Sequence, residues 1–102
     1  MVWYQYIAVF FSGCFSTNAV PHFVYGITGN KFPTPFAKPS GIGLSSPTTN
    51  VLWALFNMVV AYLLFTVAPI DRAHPVCMIV FFAGIALMSI FSSVHFQKRD
   101  KE

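Results

Sequence analysis

Residues 49–68, Thr-Asn-Val-Leu-Trp-Ala-Leu-Phe-Asn-Met-Val-Val-Ala-Tyr-Leu-Leu-Phe-Thr-Val-Ala, form a run of twenty residues without one Asp, Glu, Lys or Arg. At 1.5 Å rise per residue, about 20 apolar residues cross the roughly 30 Å hydrocarbon core of a bilayer. Two further runs repeat the pattern, Val2 to Val20 before it and Val76 to Phe96 after it, and neither contains a charged residue. Charged side chains cost most at the centre of a membrane, so three uninterrupted stretches predict three transmembrane helices.

Composition agrees. Only 9% of the 102 residues are charged, 56% are hydrophobic, and twelve are Phe. A soluble domain carries roughly a quarter of its residues as charges, so this chain lacks the polar surface to coat a water-soluble globule. The fold class expected is all-α and integral to the membrane, with a single domain: helix 2–20, loop 21–48, helix 49–68, turn 69–75, helix 76–96 and a basic tail 97–102. The first run does not read as a secretory signal, because nothing basic precedes it, and Phe11 is bulky where a lipoprotein site before Ser12-Gly13-Cys14 prefers an aliphatic residue.

Lys and Arg near helix ends are retained on the cytoplasmic side. Of the six basic residues, Lys31 and Lys38 lie in the first loop and Lys98, Arg99 and Lys101 in the tail, whereas Arg72 stands alone beside Asp71. With three spans the first loop and the tail share a side, so that side is expected to be cytoplasmic in a cell inner membrane, with the N-terminus and the 69–75 turn outside. The net charge of +3 is then a topology signal. A nucleic-acid partner is not indicated, since the few basic residues form no dense stripe. Cys14 is expected about 16 Å deep and Cys77 at the outer surface, too far apart for a disulfide.

Membrane helices associate through small residues and a few polar contacts. The second run places Asn50, Ala54, Asn57, Ala61 and Ala68 on one stripe, the first offers Ala8, Ser12, Ser16 and Ala19, and the third Ala86, Ser89 and Ser93. These stripes fit a three-helix bundle and equally fit lateral docking to a larger membrane protein. Asn57, well inside its span, is read as an interhelical hydrogen-bonding residue in preference to a ligand contact. Trp3, Tyr4, Tyr6 and Trp53 are interfacial anchors.

Between the first two runs stands a loop with Pro at 21, 33, 35, 39 and 47 and Gly at 26, 29, 41 and 43. Such punctuation predicts no regular element, yet Phe23, Tyr25, Ile27, Phe32, Phe36, Ile42 and Leu44 make the loop too apolar for disorder. An ordered cap against the helix ends is expected. Ser46 is a plausible N-cap and Pro47 suits the first helical position. Gly41, Gly43, Ser45 and Ser46 lead into that helix start and form a candidate anion or headgroup loop, although the lysine of a nucleotide-binding P-loop is missing. The alternative is a capped turn.

His22 is expected to close the first helix and His95 the third, with Asn18 one turn before His22 and Asn50 opening the second helix. Asn18, His22, Asn50 and His95 are therefore the candidate polar or ligand site. No metal set is read from them, because no carboxylate lies near and both cysteines are misplaced in depth. No cofactor is called for. Ser92 and Ser93 stand near His95, but a nucleophile needs a base and an orienting group, and no acidic residue completes the set.

The pattern Asn18-x-x-Pro21-His22-Phe23, Gly26-Ile27-x-Gly29, Phe32-Pro33-x-Pro35-Phe36 and Gly41-x-Gly43-Leu44-Ser45-Ser46-Pro47-x-x-Asn50-Val51 resembles a family of small, uncharacterised bacterial integral membrane proteins. It covers about a third of the chain. The resemblance implies a bacterial inner-membrane protein with a motif-bearing first loop, and it implies no substrate or catalytic residue. The expected role is that of a non-catalytic subunit or interaction component of a membrane assembly, with the bilayer and a membrane-protein partner or a second copy as its partners. The alternatives are an oligomeric transporter or channel component, and a lipid- or cofactor-binding protein that uses His22 and His95.

Overall fold

The computed structural model describes residues 2–68 and 75–100. The expected outer turn with Asp71, Arg72 and His74, and the tail end with Lys101, lie outside the described residues. The described chain is helical: α1 spans Trp3–Ile27, α2 Pro47–Phe65 and α3 Pro75–His95, and a short 3₁₀ turn, Phe96–Lys98, follows α3. All three helices are long and apolar enough to cross a membrane. Their outward surfaces carry large exposed apolar side chains such as Tyr62, Phe82, Ile90 and Phe91. Apolar surface on this scale requires a lipid or protein cover.

The first helix is longer than expected. It runs through Pro21 to Ile27, so His22 lies within α1 and does not close it. Proline removes an amide donor and ordinarily kinks or ends a helix. Two tertiary contacts hold the last turns nevertheless. The His22 ring is bonded to Asn50 of α2 at 2.8 Å, and Gly26 lies so close to α2 that a Cβ there would stand 2.9 Å from the Pro47 carbonyl oxygen. Residues 28–46 form the actual connection. It contains a two-residue antiparallel ladder, β1 (Phe32–Pro33) with β2 (Leu44–Ser45), a small regular element that the proline and glycine pattern concealed.

The exit from this connection follows the capping rules. Ser46 is the N-cap of α2, its hydroxyl oxygen accepting from the Thr49 amide at 3.1 Å, and Pro47 occupies the first turn. The helix begins two residues before the expected Thr49 and ends at Phe65, which leaves Ala68 beyond it.

α1 lies between its neighbours and packs against both α2 and α3. The α2 stripe is as expected: Asn50, Ala54, Asn57 and Ala61 are the buried residues of that helix. On α1, Ala8, Ser12 and Ala19 are buried. The Ser12 hydroxyl donates to the Ala61 carbonyl at 2.7 Å, and Asn57 joins Asn18 across the same seam. These two stripes are therefore used inside the chain.

The α3 seam differs from expectation. Ser89 and Ser93 are exposed, Ser89 donating to its own helix at Ile85, whereas Cys77 and Gly84 are the buried residues of α3. A Cβ on Gly84 would overlap the Phe10 carbonyl, and one on Gly13 would overlap the Phe81 carbonyl. Two glycines thus bring the α1 and α3 backbones into direct contact, a closeness that the Ala86, Ser89 and Ser93 stripe cannot match. Cys14 points to the Gly84 carbonyl (Sγ to O 3.5 Å), and neither cysteine is in a disulfide.

Candidate functional site

The ends of α1, α2 and α3 on the side of the 28–46 connection meet beneath it. Asn50 is the centre of this junction and is completely buried. Its amide nitrogen lies 2.9 Å from the Phe32 carbonyl, 3.3 Å from that of Ser45 and 3.0 Å from that of Ser46. A side-chain amide among three carbonyls must present its NH₂ to them, so Asn50 Oδ1 is the acceptor toward His22. His22 Nδ1 consequently carries the proton and donates at 2.8 Å. In the neutral ring the lone pair is then on Nε2.

A second relay stands one turn earlier. Asn57 Nδ2 donates to the Trp53 carbonyl at 2.7 Å, which leaves Asn57 Oδ1 to accept from Asn18 Nδ2 at 3.0 Å. This is the interhelical bond expected of Asn57. No described hydrogen bond is made by Asn18 Oδ1. Asn18 and His22, four residues apart, share one face of α1.

His95 closes α3 as expected, and its Nε2 donates to the Gly41 carbonyl at 2.9 Å. The contact is fitted to glycine. Gly41 has φ +70, a left-handed conformation, and a Cβ there would stand 2.9 Å from His95 Nε2. Phe96 lies edge-on to both imidazoles, with ring centroids 6.1 Å from His22 and 5.1 Å from His95. Both imidazoles thus pack against the same phenyl ring.

Asn18, His22, Ser40, Trp53, His95 and Phe96 are among the residues that line one cleft of about 260 Å³. Three of the four candidate site residues meet there. Asn50 does not line it; its role is to bind the connection to α1 and to orient His22.

The glycine-rich segment takes the capped-turn form. Gly41 N–H donates to the Thr34 carbonyl at 2.9 Å, and the amides of Ile42 and Gly43 donate to the Pro39 carbonyl at 3.0 and 2.8 Å. Ser45 Oγ is 2.6 Å from Thr34 Oγ1, and the Ser46 hydroxyl is engaged by Thr49. An anion cradle needs unpaired amides directed outward. Those of Gly41 and Gly43 are bonded within the connection and are not directed at an anion.

Several contributors escape a reading by residue type. Ser40 enters the cleft from the connection, with its hydroxyl donating to the Pro35 carbonyl at 2.8 Å. Arg99 does more than mark topology: its guanidinium lies 5.4 Å from the Phe32 ring centroid and bonds Tyr25 Oη at 3.1 Å. The Asp100 amide donates to the Ile42 carbonyl at 2.9 Å. Only the mixture of aromatics with nearby basic residues hinted at this clasp.

No family model, curated protein or solved structure matches this chain.

Proposed function

We propose that this chain is a multi-pass inner-membrane protein, N-terminus outside and C-terminus cytoplasmic, that acts without catalysis as a subunit or interaction component of a membrane assembly. The observation that carries the reading is the engagement of its polar cluster. His22 is bound by Asn50, His95 by Gly41, and the Ser45 and Ser46 hydroxyls by Thr34 and Thr49. These groups hold helices and connection together, as befits a structural or recognition module. The distribution of Lys31, Lys38, Lys98 and Arg99 at one end supports the cytoplasmic assignment of that end.

Two measurements test the reading. Reporter fusions after residue 102 are expected to score cytoplasmic. A photo-crosslinking residue at exposed Phe82 or Ile90 is expected to trap one defined membrane protein in native membranes, and recovery of lipid adducts alone counts against an assembly role. A lipid-binding role is a second reading, favoured by the cleft beside His22 and His95.

A further inference from the structure

We infer that the cleft between the 28–46 connection and the helix ends binds a primary ammonium group, carried by a lipid headgroup or by a free alkylamine. The inference deepens the lipid-binding reading and rests on it only in treating the cleft as a ligand site. The carbonyls of Phe32, Ser45 and Ser46 orient Asn50, and Asn50 in turn makes His22 Nδ1 the donor. The Trp53 carbonyl orients Asn57, and Asn57 makes Asn18 Nδ2 the donor. Each relay starts at backbone oxygen and ends in an acceptor, His22 Nε2 in one case and Asn18 Oδ1 in the other.

Among the described residues, no side-chain nitrogen or oxygen that is fully buried lacks a partner. No described hydrogen bond reaches His22 Nε2 or Asn18 Oδ1, so these atoms border open space; both residues line the cleft, and Asn18 also lines a neighbouring pocket with Asn57 and Met88. Ser40 adds a third acceptor. Its hydroxyl hydrogen is directed to the Pro35 carbonyl, which leaves the oxygen lone pairs available.

His22 Nε2, Asn18 Oδ1 and Ser40 Oγ are acceptors for the N–H donors of an ammonium group, and His95, whose Nε2 donates to Gly41, adds the Nδ1 lone pair of its neutral ring. Trp53 and Phe96 line the same cleft, and aromatic rings attract a cation. No Lys or Arg lines it to repel one. An anion would meet lone pairs, and a quaternary ammonium would use the rings while leaving the acceptors unpaired. The arrangement therefore favours a cation that also carries N–H donors, as a primary amine does. Lys38 and Lys98 stand two residues from the lining residues Ser40 and Phe96, where they suit the phosphate of a zwitterionic headgroup.

Trp53 supplies the probe, since the chain has two tryptophans and Trp3 lies near the start of α1. In Trp3→Phe protein, emission is followed in phosphatidylcholine nanodiscs with increasing phosphatidylethanolamine or phosphatidylglycerol, and in detergent with free ethanolamine. A saturable change with phosphatidylethanolamine and none with phosphatidylglycerol is expected. A response to free ethanolamine as well assigns the site to the amine itself, and a response confined to the lipid assigns it to the headgroup. Asn18→Leu is expected to weaken binding about tenfold, as loss of a charge-assisted hydrogen bond does. Ser40→Ala, in the connection and outside the helix seams, is expected to weaken binding without changing the circular dichroism spectrum. No saturable response to either ligand, an equal response to phosphatidylglycerol, or wild-type affinity in both variants overturns the inference. A negative result here together with a trapped protein partner leaves the assembly reading intact.

Discussion

His22 Nδ1 and Asn50 Oδ1 lie 2.8 Å apart across 28 residues of sequence, and both side chains are buried. This bond ties the end of α1, beyond Pro21, to the start of α2. It also sets the tautomer of His22, because Asn50 has three carbonyls at its other end.

Removing Asn50 is therefore expected to cost more than removing His22. Asn50→Ala strands the His22 N–H and takes a donor from the Phe32 and Ser45 carbonyls, while the Ser46 carbonyl still accepts from the backbone amide of residue 50; His22→Ala leaves one amide oxygen unpaired. Each stranded buried group costs about 1–3 kcal/mol. Thermal unfolding in detergent should rank Asn50→Ala below His22→Ala, and the double variant should be less destabilised than the sum of the two. Strict additivity would mean that the two side chains do not interact.

Gly84 and Ser93 provide a paired test of the α1–α3 seam. Gly84→Val introduces atoms where the Phe10 backbone stands and is expected to destabilise the protein by about 1–3 kcal/mol or separate α3 from α1. Ser93→Ala changes an exposed position and should stay within about 0.5 kcal/mol. The reverse order, read from thermal unfolding in detergent, would restore the small-residue stripe as the packing face.

The connection is clasped by His95 through Gly41 and by Arg99 through Phe32, with Arg99 also bonded to Tyr25 of α1. Gly41→Ala meets both a left-handed backbone and the His95 ring. It should cost about 1–2 kcal/mol. Arg99→Ala removes a ring contact and a hydrogen bond. Both variants are expected to speed proteolytic cleavage within 28–46, and unchanged cleavage rates would show that the clasps are dispensable.

Cys14 and Cys77 are both buried. A maleimide should label neither appreciably in folded protein and both after denaturation, without prior reduction. Labelling that requires a reductant would reveal a disulfide and contradict the helix arrangement.

Much of this fold is legible in local chemistry. Three charge-free runs announce three helices, and the Asn50, Ala54, Asn57 and Ala61 spacing marks the buried face of α2, since helical periodicity is a property of a single segment. Ser46 and Pro47 mark its start for the same reason. Helix termini were less legible. Pro21 reads as a stop, and α1 continues because Asn50 and the α2 backbone stabilise its last turns. The α3 seam was also hidden, because a glycine signals close approach only once the opposing backbone is known.

The candidate site divides along the same line. Sequence placed Asn18, His22 and His95 at one end of the molecule, since depth follows from residue count along a helix. Tertiary structure alone decided which atoms of that cluster are engaged. Hydrogen-bond direction at an amide or imidazole depends on partners from other segments, here the carbonyls of Phe32, Ser45, Ser46 and Trp53. The chain's hydrophobic lengths and charges thus determined where each residue stands along the helices, and long-range backbone contacts determined which of its lone pairs face the cleft.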